Sequence, residues 1–295
     1  KQKTAYEIMP SLVGSEMCIR DRYRNFKPFG NISALSLGGG GIGNVWGETT
    51  RSESISTVNL AIESGINHLD MAPMYGKGEA EKVIGEALKG KNLSTLSITT
   101  KCRLGTLPDS KVYQKLNDSL SRSLERMKVE KVNLFLLHSQ LIEDDYQLPL
   151  LNEYRATNAT TLSCYYESVI PAFEKLKKEG KIDHWGIGLG QEEALIKAIN
   201  HEQPPEAMQC AANVLNSIGA IGYISKKPDP NKMLRECQKK DIPIFILNLK
   251  KDFRFFFLQI RDPGQSLFHP SRNKRFIYVS NTNLRAHETR HEIVC

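Results

Sequence analysis

The chain has 295 residues and a net charge of +7, with 40% hydrophobic and 25% charged residues. This composition excludes a collagen-like, wholly disordered or disulfide-dense protein, and the length allows one large α/β domain or two small ones. No apolar run approaches the roughly 20 residues that a membrane-spanning helix needs, so we expect no membrane partner. The six cysteines show no CxxC or Cys/His spacing. This predicts neither a metal site nor a disulfide framework, and it favours a cytoplasmic protein.

The excess of positive charge is concentrated towards the two ends of the sequence. Residues 23–249 contain 27 basic and 26 acidic residues, whereas residues 250–295 contain nine basic and four acidic ones. A nucleic-acid-binding protein needs a basic patch or stripe on its folded part. Because the middle of the chain is nearly neutral and has no stripe of basic and aromatic residues, we expect no nucleic-acid partner.

Both ends of the chain differ in pattern from the middle. Residues 1–22 lack an amphipathic period, and they lack the order of charged, apolar and small residues that marks a signal peptide. They resemble a translated sequencing-library adaptor, and the final SNTNLRAHETRHE resembles the opposite strand of the same adaptor. We interpret residues 1–22 as a non-native or disordered extension and 250–295 as an aberrant or disordered segment. Residues 23–249 are then the folded domain.

From residue 23 onward, apolar strand-like runs alternate with amphipathic helix-like runs. Runs that are apolar nearly throughout are typical of strands buried on both faces of a parallel sheet. Seven candidate strands, most of them of this kind, occur before residue 250, at 32–37, 66–72, 96–102, 132–139, 183–189, 207–214 and 242–249. A helix start is marked by Thr50 and Glu53, which have the spacing of a capping box, and a helix end is marked by Gly180.

Repeated strand–helix units leave two architectures, an open doubly wound sheet and a closed barrel. The run LGGGGIGNVWG satisfies GxGxxG at Gly38, Gly40 and Gly43, and Asp70 ends the second strand, as in a dinucleotide-binding open sheet. In that fold a helix begins at once, whereas six residues intervene here before Thr50. We therefore expect an α/β fold of the (β/α)8 barrel type, with about seven units readable. The eighth strand stays unplaced beyond residue 249, so the barrel is expected to be incomplete there.

In a barrel the glycine run would be a flexible loop at the mouth. Gly39 and Gly40 would let a cofactor approach the backbone, and Trp46 would form a wall of the substrate pocket. Ordinary core packing is the alternative for Trp46. The 139–163 connection is too long for a plain strand-to-helix loop and lies on the same rim, where it could form a substrate lid; a solvated insertion without a role is an equal alternative.

Four polar residues lie at or just after the C-terminal ends of successive strands. Asp70 ends the second strand, Tyr75 follows it, Lys101 lies at the end of the third and His138 at the end of the fourth. The C-terminal ends of barrel strands form the rim on which barrel active sites lie. One polar residue at a strand end is commonly structural, but four on one rim predict a catalytic site.

These residue types suit the transfer of a hydride and a proton. We expect Lys101 to favour the phenolate of Tyr75 and so lower its pKa, and Asp70 to keep the lysine charged. His138 would orient a substrate oxygen through a hydrogen bond. Tyr75 would protonate a carbonyl oxygen as hydride reaches its carbon, or remove the proton of an alcohol in reverse. Because no side chain donates hydride, a nicotinamide cofactor is implied.

The motif Asp-x-Ala-x-x-Tyr-Gly at residues 70–76, with Lys101 and His138 downstream, resembles the aldo-keto reductase family over roughly residues 23–249. The glycine-rich opening, the long 139–163 connection and the GIGLGQEEAL sequence are similar to its aldose, galactose and fucose dehydrogenase-like branch. The resemblance implies a (β/α)8 barrel that uses NADP or NAD, with the four strand-end residues as the catalytic tetrad.

The resemblance also implies cofactor-binding residues. Gln209 on the sixth strand matches the family's amide-binding glutamine, and we expect Asn213 to lie beside it in the site; a glutamine bonded to backbone is the alternative. The Ser-Asn pair that many members carry after strand five reads Gly188-Leu189 here. We expect an NADP- or NAD-dependent oxidoreductase that interconverts a carbonyl and an alcohol on a small carbonyl or sugar substrate. The alternative is a catalytically silent or misassembled barrel without a complete cofactor site.

Overall fold

The structure is a computed structural model that describes residues 23–45, 47–147, 156–211, 229–247 and 276–280. A hairpin of two antiparallel strands comes first, β1 (Tyr23–Asn25) and β2 (Asn31–Ser33). The described strands that follow are β3 (Leu35–Gly38), β4 (His68–Asp70), β5 (Ser97–Cys102), β6 (Val132–Ile142), β7 (Ala159–Thr161), β8 (Ile182–Gly190), β9 (Ala207–Ala211), β10 (Ile244–Leu247) and β11 (Phe276–Ser280).

Eight of these strands form a closed ring. Each pairs in parallel with its neighbours in the order β3, β4, β5, β6, β8, β9, β10, β11, and β11 pairs in turn with β3. A closed ring of parallel strands excludes the open doubly wound sheet that the glycine run suggested as an alternative. The (β/α)8 barrel is therefore confirmed. Strand β7 lies outside the ring and pairs with residues 140–142 at the end of β6.

The eighth strand of the ring comes from the segment that was expected to be aberrant or disordered. Tyr278 pairs with Ile246 of β10 on one side and with Leu35 of β3 on the other. For residues 276–280 this corrects the expectation, and the ring of strands is complete. The sequence does not reveal β11 because its apolar run is short and no recognisable helical pattern precedes it. Residues 1–22, 250–275 and 281–295 lie outside the described residues.

Helices connect the strands and pack their apolar faces on them. They are α1 (Gly39–Ile42), α2 (Arg51–Glu63), α3 (Glu79–Ala87), α4 (Val112–Met127), α5 (Leu162–Cys164), α6 (Ile170–Lys178), α7 (Glu192–Asn200) and α8 (Pro230–Lys239). A π-helical turn, Tyr165–Val169, joins α5 to α6, and a 3-10 turn, Asp109–Lys111, precedes α4. The capping box is confirmed, since Thr50 and Glu53 bond each other's backbone N–H groups at the start of α2.

The hairpin closes one end of the barrel interior. Phe26 and Ile32 pack there against Leu134, Ala207 and Phe245, which point inward from the strands. The rings of Phe26 and Phe245 meet edge to face, with their centroids 5.0 Å apart. Because the hairpin precedes β3, it covers the N-terminal ends of the strands. The C-terminal ends, where barrel active sites lie, are left free of it.

Candidate active site

Three of the four side chains predicted to be catalytic meet at Lys101. Strands β4 and β5 are neighbours in the ring, which places Asp70 beside Lys101 at their C-terminal ends. Lys101 Nζ donates one hydrogen bond to Asp70 Oδ2 at 2.9 Å and another to the hydroxyl oxygen of Tyr75 at 2.9 Å. The side chains of Asp70 and Lys101 are completely buried. The structure thus joins these residues in one hydrogen-bonded group.

Lys101 remains a cation in this group. Burial by itself lowers the pKa of the lysine, because a charged ammonium loses its hydration. The charges of Asp70 and Tyr75 and the hydrogen bonds to both outweigh that effect, and they raise the pKa of Lys101 above the ordinary lysine value. The positive charge beside the phenol is therefore present throughout the physiological pH range.

The pKa of Tyr75 is raised, whereas the sequence led us to expect a lowered one. Burial has the largest effect and raises this pKa, while the charge and hydrogen bond of Lys101 oppose the shift and Asp70 adds to it. The sequence reveals the cation but not the loss of water around the phenol. Tyr75 holds its proton at neutral pH, which is the form that can act as an acid.

The backbone after β4 fixes the position of Tyr75. Gly76, Lys77 and Gly78 all have positive φ angles, and this turn leads directly into α3. A Cβ atom on Gly76 would overlap the carbonyl oxygen of Gly43, so only glycine permits this approach of the two loops. The loop that carries Tyr75 is therefore packed tightly against the glycine run.

The glycine run forms α1 at the end of β3 and is not a flexible loop. A Cβ atom on Gly39 would lie 2.9 Å from Tyr75 Cδ2, so the absent side chain makes room for the tyrosine ring. Gly39 and Gly40 are buried, and their binding to a cofactor stays a prediction. Trp46 and Asn213, predicted for the pocket and the cofactor site, lie outside the described residues.

A bulge in β6 places His138 on the same rim. The pairing of β6 with β8 slips by one residue between Leu137 and Gln140, so that His138 and Ser139 together face Gly188. Bulges of this kind redirect side chains and are common beside active sites. A Cβ atom on Gly188 would lie 3.6 Å from His138 Cδ2, in ordinary contact.

His138 is uncharged at neutral pH. Burial has the largest effect on its pKa, and the positive charges of Lys101 and Arg103 act in the same direction. Together they hold the pKa of His138 well below the ordinary histidine value. A neutral imidazole has one N–H group and can donate a single hydrogen bond.

Gln209 joins the group from β9. Its Nε2 donates a hydrogen bond to Asp70 Oδ1 at 3.1 Å, so its partner is a side chain and not backbone. Its Oε1 is buried and has no hydrogen-bond partner among the described residues. A buried acceptor without a partner is costly, and a ligand that brings an N–H group would satisfy it. Gln209 therefore fits the amide group of a nicotinamide.

A buried ion pair, whose role the sequence did not indicate, ties α3 to β5. Glu81 is fully buried and accepts hydrogen bonds from Thr100 Oγ1 at 2.7 Å and from Arg126 Nε at 2.7 Å. Thr100 precedes Lys101 in β5, and α3 follows the loop of Tyr75. The pair thus connects the elements that carry the phenol and the ammonium. The available signal was an acidic residue on the apolar face of a helix.

A second polar cluster lies inside the barrel, below the ion pair of Asp70 and Lys101. The ring nitrogens of His68 lie 2.6 Å from Ser36 Oγ and 2.8 Å from Thr99 Oγ1. The imidazole also stacks on Phe245, with the ring centroids 4.6 Å apart. Burial outweighs the opposing charge of Asp70 and lowers the pKa of His68 to about 4, so the ring is neutral. The alternation of β4 could have indicated this cluster, because residues two apart face the same side.

Some kinds of site are absent from the described part of the chain. No three His, Cys, Asp or Glu side chains converge there as ligands for a metal ion. The cysteines of these ranges, Cys102, Cys164, Cys210 and Cys237, form no disulfide bonds. Among the same residues, no helix combines the length and the apolar character needed to cross a membrane.

The barrel sequence matches a known protein family. The model of the aldo/keto reductase family matches residues 34–248, which include β3 to β10 and every described residue of the candidate site. The chain belongs to the aldo/keto reductase family. This membership confirms the resemblance noted in the sequence.

This aldo/keto reductase matches several curated relatives at moderate identity. It is 30% identical to L-galactose dehydrogenase of Arabidopsis thaliana over 158 residues, which are 53% of this chain and 44% of that protein. It is 29% identical to methylglyoxal reductase YeaE of Escherichia coli over 228 residues, which are 73% of this chain and 64% of that protein. The matched part therefore spans between about half and two thirds of the length of these relatives.

Solved structures of other aldo/keto reductases share the fold. An aldo-keto reductase from Klebsiella pneumoniae in complex with NADPH has a TM-score of 0.60 and 19% identity, covering 92% of this chain and 89% of that one. An aldo/keto reductase from the same organism, in complex with NADP and acetate, has a TM-score of 0.53 and 21% identity. The match covers 76% of this chain and 67% of that one. At these identities the likeness shows the barrel fold alone.

Proposed function

We propose that this aldo/keto reductase is an NAD(P)-dependent enzyme that interconverts a carbonyl and an alcohol on a small substrate, with Tyr75 as general acid and base. The observation that carries the proposal is the contact between the Tyr75 hydroxyl and the buried ion pair of Lys101 and Asp70. A phenol alone is a poor catalyst at neutral pH, and a fixed cation stabilises the phenolate that forms when it gives up its proton.

In the direction of reduction, Tyr75 donates its proton to the carbonyl oxygen of the substrate. The nicotinamide, when bound, supplies the hydride that reaches the carbonyl carbon. Lys101 then stabilises the phenolate, and Asp70 keeps Lys101 protonated. In oxidation the phenolate takes the proton of the alcohol, so the same three residues serve both directions.

His138 has an orienting role in this proposal. Its low pKa leaves the imidazole neutral, so at neutral pH it is not the acid that transfers a proton to the substrate. Its N–H group can instead hold the substrate oxygen towards Tyr75 through a hydrogen bond. This division agrees with the raised pKa of Tyr75, which keeps the proton to be transferred on the phenol.

Gln209 is the proposed contact of the cofactor's amide group. Its free Oε1 suits the N–H group of a carboxamide, while its Nε2 is occupied by Asp70. Gly39 and Gly40 are proposed to border the same cofactor. The Klebsiella pneumoniae enzymes were solved with NADPH and NADP, which supports NADP for this chain, with NAD as the second candidate.

The relatives indicate substrates to try. One is named L-galactose dehydrogenase, one methylglyoxal reductase, and a third, from Pseudomonas sp, D-threo-aldose 1-dehydrogenase. All three names describe small carbonyl compounds or sugars. We propose the same broad class for this chain, with aldoses as one candidate group.

Replacing Tyr75 with Phe tests the mechanism. We expect turnover of methylglyoxal with NADPH, or of L-galactose with NADP or NAD, to fall by about 10³-fold, because the proton donor is lost. Nicotinamide fluorescence should still show saturable NADPH binding by the variant. As a control, Tyr113→Phe removes a surface hydrogen bond to Glu179 and should leave turnover unchanged. Full activity of the Tyr75 variant would refute the mechanism, and no saturable binding by the wild type would favour the silent barrel.

A further inference from the structure

An arginine that pairs with no acidic residue of the described ranges lies at the mouth of the site. Arg103 directly follows β5, two residues after Lys101, and its side chain is exposed. Its guanidinium lies 3.5 Å from the Sδ atom of Met74, the residue before Tyr75. Among the residues that the structure describes, no carboxylate forms an ion pair with Arg103. By contrast, Arg51 and Arg126 each pair with a glutamate.

The charge of Arg103 acts on the reacting end of the site. It is one of the two positive charges that lower the pKa of His138, the other being Lys101. The guanidinium therefore lies within electrostatic reach of the imidazole and touches the residue next to the phenol. A substrate held between Tyr75 and His138 would have this cation at its side.

Two exposed apolar side chains border the same rim. Met74 is 41% exposed and contacts Arg103, and Val45 is 42% exposed just after α1. The backbone of α1 packs against the loop of Tyr75, which brings Val45 to this side of the barrel. Exposed apolar groups beside a site are typical of a surface that contacts a ligand. The rim thus offers apolar surface together with one cation.

We propose that Arg103 binds an anionic group of the substrate, so that the preferred substrates are aldehydes or ketones that carry a carboxylate and an apolar portion. The inference rests on the proposed function. The planar guanidinium can donate two parallel hydrogen bonds to a carboxylate, and such charge-assisted bonds are among the strongest in proteins. The apolar portion of the substrate would lie against Met74 and Val45.

The position of Arg103 favours the substrate over the cofactor as its ligand. Arg103 follows β5, whereas Gln209, which we propose to bind the nicotinamide, lies on β9, three strands further round the ring. The anionic groups of the cofactor are its phosphates, which are remote from the reacting carbon. A cation beside the phenol and the imidazole is instead close to the reacting end of the site.

A matched pair of substrates tests this inference. Para-carboxybenzaldehyde and its methyl ester share the ring and the aldehyde, but only the acid is negatively charged at neutral pH. We expect the wild type to show a KM about tenfold lower for the acid. Arg103→Gln should raise the KM for the acid by about tenfold relative to the KM for the ester, so that the preference for the acid is lost. Arg103→Lys should keep part of the preference, and added salt should weaken it.

Arg122→Gln serves as the matched control, because Arg122 is an exposed arginine on α4 and its loss changes the net charge equally. That variant should keep the preference for the acid. The inference is overturned if Arg103→Gln leaves the preference for the acid unchanged, if it raises the KM for both substrates equally, or if it raises the KM for NADPH instead. Failure of the proposed function would appear as no turnover of either aldehyde, whereas failure of this inference alone leaves turnover without a preference for the acid.

Discussion

The charge on Lys101 depends on the buried carboxylate of Asp70 beside it. Burial lowers the pKa of an ammonium, and the fixed charge of Asp70 is the largest effect that raises it again. Tyr75 holds its proton at neutral pH, so it contributes a hydrogen bond and not a full negative charge. The cation that stabilises the phenolate is therefore maintained chiefly by one buried carboxylate.

Replacing Asp70 with Asn removes this charge and keeps one oxygen, which can accept from Lys101 or from Gln209 but not from both in their present positions. Burial then lowers the pKa of Lys101, so the lysine loses its proton at a lower pH than in the wild type. We expect kcat to fall by about 10²-fold at neutral pH and the alkaline decline of kcat/KM to begin at lower pH. The pH–rate profiles of the two proteins measure both effects.

An unchanged alkaline limb in the Asp70 variant would show that Lys101 does not titrate as described. Asp183→Asn is the matched control, because Asp183 pairs with Lys131 on the surface. Its pH–rate profile should coincide with that of the wild type.

At the scale of elements, α3 links the loop of Tyr75 to the strand of Lys101. The link consists of Glu81, which bonds Thr100 on β5 and Arg126 on α4. Close packing supports it, since a Cβ atom on Gly78 would lie 2.8 Å from the Arg126 side chain. The relative position of the elements that carry Tyr75 and Lys101 therefore rests on a buried carboxylate outside the proposed catalytic group.

Glu81→Ala should lower the free energy of unfolding by about 3 kcal/mol, because it leaves Arg126 without its anion and Thr100 without its acceptor. Glu86→Ala, which removes a partner of Arg51 on the exposed side of α3, should cost at most about 1 kcal/mol. Urea unfolding of the two variants and the wild type measures the difference. Equal losses in both variants would contradict a special role for Glu81.

The strands differ in how well their sequences predict them. The run 96–102 closely matches β5, all six residues of which are buried although four of them are polar. The run 32–37 was expected to be one strand, but it contains parts of two, β2 and β3. Ser33 Oγ donates to the carbonyl oxygen of Leu35 at 2.6 Å, and such local bonds compete with strand pairing. The propensity of the residues alone does not indicate this break.

The contacts of the candidate site also differ in how far the sequence predicts them. Asp70 and Lys101 could be expected together because strand ends meet on one rim, and the structure places them in contact. The direction of the Tyr75 pKa shift could not be predicted, since burial depends on residues distant in sequence. The hydrogen bond between Gln209 and Asp70 joins residues 139 positions apart and follows only from the closed ring.

At the scale of the whole molecule, β11 completes the barrel by pairing with both β10 and β3. Without it, both neighbours would present unpaired backbone N–H and C=O groups. We expect a chain that ends after Leu247 to lose cooperative thermal unfolding and turnover, and a chain that ends after residue 280 to keep both. Circular dichroism and the NADPH assay measure the outcome. A cooperative and active chain without β11 would contradict this role.

The pairing of β3 with β11 is expected to form after the other strand pairings. Leu35 and Tyr278 pair across about 240 residues of chain, and closing so long a loop costs roughly 5 kcal/mol of chain entropy. Neighbouring pairs such as Asp70 and Thr99 close much shorter loops. Of the strands that the structure describes, the last to be synthesised, β11, is thus the one that seals the ring. Until then β3 and β10 each have an unpaired edge, and such edges can pair with strands of other chains.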